Sequence, residues 1–390
     1  MKNISLTISL VCIVLSMSFA ACTSVGGEGK EREYSSVSEE SDTSSLSEVP
    51  VVYNFYVENS GSMKGYFSGK SDLKDIIVEL YDRISDADDS ERITLNFINT
   101  KIDKTQLDKV DFVNSAERKC TASYTKIDDI LLMTMDSLKE NHVNIIISDF
   151  CFTSNNTSIK IAKSGITSLF AQKIERIPDM AIAVFKYECS FNGRYYPGDL
   201  SCKHSLPVYI WAFGSGNHIK RLMDLPIEAS REELVMQLSE SVEPVYHLSS
   251  KRMQGKNNTI DVSEWKKSRK SGLYELKFDV NLSSVALRDA DITDVDNYSV
   301  SADYTIDSIY CKDKDKGIYE YEVSTRHPSP CTVCISYGNK LPEWVEHANF
   351  EGNGVPDEGK TLGIKHLIEG VYNAYDNKGK DIFSINLTLK

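Results

Sequence analysis

The sequence lacks a basic surface: 44 lysines and arginines face 57 aspartates and glutamates, a formal net charge of -13. Nucleic-acid binding draws on clustered cations that displace counterions, so no nucleic-acid partner is expected. No HExxH, GxSxG or glycine-rich phosphate loop occurs, which removes the usual signatures of metalloproteases, α/β hydrolases and nucleotide enzymes. The seven histidines are scattered, and Cys331-Thr-Val-Cys334 has no second ligand pair nearby to complete tetrahedral zinc. That cysteine pair sits in a strand-like run rather than at a helix start, where a thiolate would be stabilised, so a redox motif is not expected either. Beyond the N-terminus no apolar run is long enough to cross a bilayer, and no internal repeat is found.

What is present begins with a short positive segment, Met1-Lys2-Asn3, and an apolar stretch from Ile4 to Ala21 that is too brief for a stable span. It ends Phe19-Ala20-Ala21-Cys22, which resembles a bacterial lipobox, with phenylalanine where leucine is usual. The resemblance implies a signal peptide over 1–21, lipidation of Cys22, and a bacterial cell envelope location facing away from the cytoplasm. An ordinary secretory peptide cut after Ala21 is the alternative. Residues 22–49 alternate serines such as Ser35, Ser38 and Ser41 with acids such as Glu33, Glu39 and Asp42. So little apolar surface cannot offset the entropy of ordering, so this segment reads as a solvated tether.

The folded part opens on Val51–Tyr66, VVYNFYVENSGSMKGY. Its β-branched and aromatic first half reads as a buried strand, and its second half places an acid and two hydroxyls at alternate positions, Glu58-x-Ser60-x-Ser62. Ligands of open α/β sheets bind at the carboxyl ends of strands, where this turn would lie. Oxygen-only donors suit a hard divalent cation. The run ENSGSM resembles the Asp-x-Ser-x-Ser adhesion motif of von Willebrand factor A-like domains, with glutamate in the aspartate position. Two further elements of that family follow in order: Ser123-Tyr124-Thr125 before a helix, and Val143–Ser148 ending in Asp149. The resemblance spans about residues 50–240. It implies a metal-ion-dependent adhesion site formed by Glu58, Ser60, Ser62, Thr125 and Asp149, holding Mg²⁺ (or Mn²⁺ or Ca²⁺) and leaving a position for a partner's carboxylate.

Strand and helix patterns alternate through this region. Leu73, Ile76, Ile77, Leu80, Tyr81 and Ile84 make a helical stripe behind a Ser71-Asp72 cap, and Ile93–Ile98 makes a strand. Further helices are expected at 127–138, 158–174 and 217–225, and strands at 181–187 and 208–213. Such alternation predicts a doubly wound, mostly parallel sheet covered on both faces, an α/β fold. From 241 to 390 the period becomes two, as in Tyr274–Val280, Tyr298–Ile309, Tyr319–Val323 and Phe383–Leu389. This predicts a smaller β-rich domain, an antiparallel sheet or sandwich, interrupted by a helix over 363–375.

Of the nine cysteines, Cys12 leaves with the signal peptide and Cys22 is spoken for. Cys120 and Cys151 flank the Thr125 and Asp149 loops and are expected to form a disulfide in an oxidising compartment. Cys189 and Cys202 bracket an excursion between two strands.

Ser71-x-x-Lys74, Ser154-Asn155-Asn156 and Lys270-Ser271-Gly272 imitate elements of penicillin-recognising serine enzymes, but they are short and spread over both domains. The acids Asp289, Asp291, Asp294 and Asp296 lack the glycine and glutamate of a calcium loop and read as a solvated loop. The expectation is a non-enzymatic, membrane-anchored binding, adhesion or assembly protein that engages a protein partner in the envelope. An envelope hydrolase, or a scaffold with a degenerate metal site, is the alternative.

Overall fold

The computed structural model describes residues 50–87, 92–122, 126–152, 159–175, 179–196, 198–237, 240–242, 259–301, 303–338, 340–376 and 381–390. The signal segment, Cys22, the tether and Thr125 lie outside these. Residues 50–390 belong to one compact unit. Among the described residues no helix is long and apolar enough to cross a membrane, which says nothing of strands.

The first half contains β1 (Val52–Glu58), α1 (Asp72–Ala87), β2 (Arg92–Ile98), β3 (Ile102–Lys104), α2 (Lys109–Lys119), α3 (Ile127–Asp136), β4 (His142–Ser148) and α4 (Ile159–Ile174). It continues with β5 (Met180–Tyr195), β6 (Leu200–Ser215), α5 (Gly216–Met223) and β7 (Glu232–Gln237). Helix α1 forms because its apolar residues recur at 3.6-residue spacing; five of the six residues of the expected stripe are buried, and Tyr81 is half-buried against the same core. Its first turn is capped by Ser71, whose Oγ accepts from the Lys74 N–H at 3.3 Å.

The seven strands form one mixed sheet in the order β3-β2-β1-β4-β6-β5-β7. Alternate residues of β1 enter different cores. Tyr53, Phe55 and Val57 pack with α1, α2 and α5 on one face. Tyr56 packs on the other face with α3 and α4. The expectation of a mostly parallel sheet holds only for the central β2-β1-β4 trio. Strands β3, β6, β5 and β7 join antiparallel. The link from β5 to β6 covers only positions 196–199, and a parallel return needs a dozen or more residues. The excursion between Cys189 and Cys202 is therefore no excursion. Both strands continue through it as a two-stranded ribbon, paired from Glu188↔Pro207 to Tyr195↔Leu200.

The second half holds β8 (Glu240–Val242), β9 (Thr259–Ile260), β10 (Lys266–Lys267), β11 (Tyr274–Asn281), α6 (Asp289–Thr293), β12 (Tyr298–Val300), β13 (Tyr304–Asp313) and β14 (Ile318–Thr325). After these come β15 (Thr332–Gly338), α7 (Trp344–His347), β16 (Asn349–Phe350), β17 (Thr361–Leu362), α8 (Ile364–Asp376) and β18 (Asp381–Leu389). An antiparallel sheet, β10-β11-β14-β13, faces a second one built on β12-β15-β18. Tyr298 bridges them, with ring contacts to Tyr321 at 5.9 Å and Phe383 at 5.9 Å. The single strand expected over 298–309 is thus two strands, in different sheets. The acidic loop is also corrected. Asp289 and Asp291 begin α6, where Asp289 pairs with Lys314 and Asp291 with Arg288, while Asp294 caps the turn that follows.

Helix α8 leaves its neighbours in sequence and packs on α4, with Thr167 donating to the Gly370 carbonyl at 2.8 Å and Lys163 paired to Glu369 at 2.6 Å. Its Leu367, Ile368 and Val371 complete the core on the α3–α4 face of the large sheet.

Candidate functional site at the carboxyl ends of β1 and β4

Strand β1 ends at Glu58 and the adjacent parallel strand β4 ends at Ser148, with Val57 opposite Ile147. This register sets the Ser148 hydroxyl against the glutamate, and Ser148 Oγ donates to Glu58 Oε2 at 2.5 Å. Ser148 is itself held by the Phe150 N–H at 3.0 Å. Phe150 has a positive φ of 48°, which turns the chain sharply after Asp149.

Beyond Glu58 the backbone is stitched to its neighbours. The Asn59 N–H donates to Ile98 O at 3.1 Å, Gly61 N–H to Ala122 O at 2.9 Å, and Ala122 N–H to Asn59 O at 3.2 Å. Ala122 therefore lies beside the Ser60–Ser62 turn. Ser60 Oγ lies 2.9 Å from Ser62 Oγ, and the Ser62 hydroxyl is close enough to the Asp149 carboxylate to favour its ionised form. Glu58, Ser60, Ser62 and Asp149 are thus brought together on one rim. Thr125, the fifth residue of the expected set, is outside the described residues.

The rim is dry. Glu58 is 1% exposed, and Ser60 and Asp149 are each 5% exposed, while Ser62 is half-buried. Burial pushes the Asp149 carboxyl above its usual range, partly offset by the Ser62 hydroxyl and by the Cys151 N–H, which donates to Asp149 Oδ1 at 3.1 Å.

Cys151 and two tyrosines to which pattern reading gave no role complete the surroundings. Cys151 Sγ lies 3.6 Å from the Tyr195 hydroxyl. Its thiol is pushed well up by burial first and the Asp149 charge second, so it is a neutral neighbour rather than a nucleophile. The Tyr66 hydroxyl donates to Pro207 O at 3.0 Å and is likewise raised by burial and by Asp149. Both tyrosines bind the β5–β6 ribbon to the rim. A signal for the ribbon existed in the period-two run Tyr187, Cys189, Phe191 and Tyr195 before Pro197-Gly198-Asp199. The expected Cys120–Cys151 disulfide is not formed, and both are free thiols. Cys120 closes α2 inside the apolar core, whereas Cys151 turns to Tyr195.

The donor chemistry suits a hard divalent cation. Two buried carboxylates and two serine hydroxyls share the rim, and Asn59 Oδ1 beside them is buried with no hydrogen-bond donor among the described residues. Among the described residues no group of three or more His, Cys, Asp or Glu could hold a metal, so any site here must draw on hydroxyl ligands. Comparison with protein-family models, curated proteins and solved structures finds no match.

Proposed function

We propose that this chain is a von Willebrand factor A-like, lipid-anchored binding protein of the bacterial cell envelope, whose rim holds Mg²⁺, Mn²⁺ or Ca²⁺ and captures an acidic protein partner. The observation that carries the reading is the convergence of Glu58, Ser60, Ser62 and Asp149 at the ends of two adjacent parallel strands. Ser60, Ser62 and Thr125 would ligate the cation directly, and Glu58 and Asp149 would act through water. A bound cation would supply an open coordination position for a partner's carboxylate. Asp149 supports this role because its ionised form is poorly compensated by the protein alone. Glu58 is one methylene longer than aspartate, and its tie to Ser148 draws the carboxylate back toward β4.

Calorimetric titration with each of the three cations tests the reading. Binding should raise thermal stability by mass action, about 2.7 kcal/mol at a hundredfold excess over Kd. Ser60→Ala with Ser62→Ala should abolish that rise, and Glu58→Asp should tighten binding. No heat of binding at millimolar cation would overturn the proposal and leave a scaffold.

A further inference from the structure

We infer that the tip of the β5–β6 ribbon is a second subsite for the partner, taking an apolar or aromatic side chain next to the acidic residue that reaches the rim. The inference rests on the capture reading above and adds the chemistry of the segment captured.

The ribbon outruns the sheet. Strand β7 pairs with β5 only as far as Lys186, and β4 pairs with β6 only as far as Tyr209, so residues 188–195 and 200–207 pair with each other alone. An isolated two-stranded ribbon is marginal in water. This one is fastened at its base: Phe191 packs edge-on against Tyr66 at 4.7 Å, and a Cβ on Gly193 would lie 2.8 Å from Gly65 Cα. The tip is therefore held at a set place over the rim.

At that tip the Tyr196 ring reaches the Ser60–Ser62 turn. A Cβ added to Gly61 would lie 3.7 Å from Tyr196 Cε2. Tyr196 is nevertheless 41% exposed, and Leu200 across the hairpin is 42% exposed. The Arg194 guanidinium clasps Asp199 through its side chain and carbonyl, at 2.8 and 2.9 Å from Nη2. The Tyr196 hydroxyl is near enough to Asp199 to favour that carboxylate's ionised form, after the larger effect of Arg194. The clasp ties the two strands together where they carry the ring and the leucine, which lowers the entropy lost on binding.

Electrostatics also calls for an apolar contact. A chain of formal net charge -13 offers an acidic partner no net long-range attraction, so a bound cation is the main electrostatic draw. Non-polar burial beside that point adds affinity, and tyrosine at the edge of a site is well suited to supply it. The occupant is an extended protein segment in which aspartate or glutamate adjoins an aliphatic or aromatic residue.

A random heptapeptide display library panned on the full chain in Mg²⁺ tests this, with parallel panning in EDTA. Wild type should enrich acidic peptides whose neighbouring residue is apolar. Tyr196→Ser with Leu200→Ser, both exposed positions, should keep the wild-type melting point and Mg²⁺ binding. It should lose the apolar preference and weaken a selected peptide roughly tenfold. Enrichment of acidic peptides without an apolar neighbour, enrichment unchanged in the variant, or no enrichment at all overturns the subsite. Absence of cation binding in calorimetry overturns instead the reading beneath it.

Discussion

Gly65 is the position where ribbon and rim meet most closely, and replacing it tests whether that contact is steric. A Cβ there would lie 2.4, 2.5 and 2.8 Å from three carbons of the Phe191 ring. Carbon atoms in ordinary contact sit about 3.5–4.0 Å apart, so the ring must retreat by about 1 Å. Phe191 is 3% exposed and wedged against Tyr66, which leaves it little room. Gly65 is not among the positive-φ glycines, so alanine suits the backbone of the Met63–Phe67 turn and the cost falls on packing alone. Overpacking of this kind costs about 1–3 kcal/mol. Phe191→Ala alone should cost about 3–5 kcal/mol through its cavity. With the ring gone, Gly65→Ala should become neutral, or should stabilise by about 0.4–1 kcal/mol through the unfolded chain. The four proteins of the cycle, compared by denaturant midpoints at constant slope, should show a coupling of about 1–3 kcal/mol. Equal losses from Gly65→Ala with and without Phe191 would refute the contact.

Three other outcomes are expected. Because the folded-state Asp149 carboxyl is raised, the native chain holds more protons than the unfolded one above about pH 4, and metal-free stability should fall as pH rises through the folded-state value. Metal-free Asp149→Asn should therefore melt higher than wild type at pH 7, with the gap closing near pH 4; a lower melting point at pH 7 contradicts the argument. Cys120 and Cys151 should both be alkylated when the protein is denatured without reductant, and a peptide pair joined through them in mass spectra would contradict the fold around the rim. The mature N-terminus should carry acyl groups on Cys22, and Cys22→Ala should release the protein from membranes; an unmodified terminus or unchanged fractionation defeats the anchor.

Several features were legible because their causes are local. The stripe of α1 and the apolar run of β1 each repeat within a few residues, and side-chain direction along a helix or strand follows from that period. The position of Glu58-x-Ser60-x-Ser62 just past a strand followed from the same reading. The ribbon was harder to see, because its inward residues are spaced by polar ones and the continuous runs 181–187 and 208–213 drew the boundaries short.

By itself, then, the sequence determined the elements with a strong local period, such as β1 and α1, and that hydroxyls and acids follow the ends of β1 and β4. Only the tertiary structure decided that Ser148 holds Glu58, that Cys151, Tyr66 and Tyr195 close over Asp149, and that α8 covers the far face of the large sheet. Those contacts join residues far apart in the chain, 90 positions for Glu58 and Ser148 and 141 for Tyr66 and Pro207. No local period encodes them, because they depend on strand register and on which apolar faces the whole chain buries together.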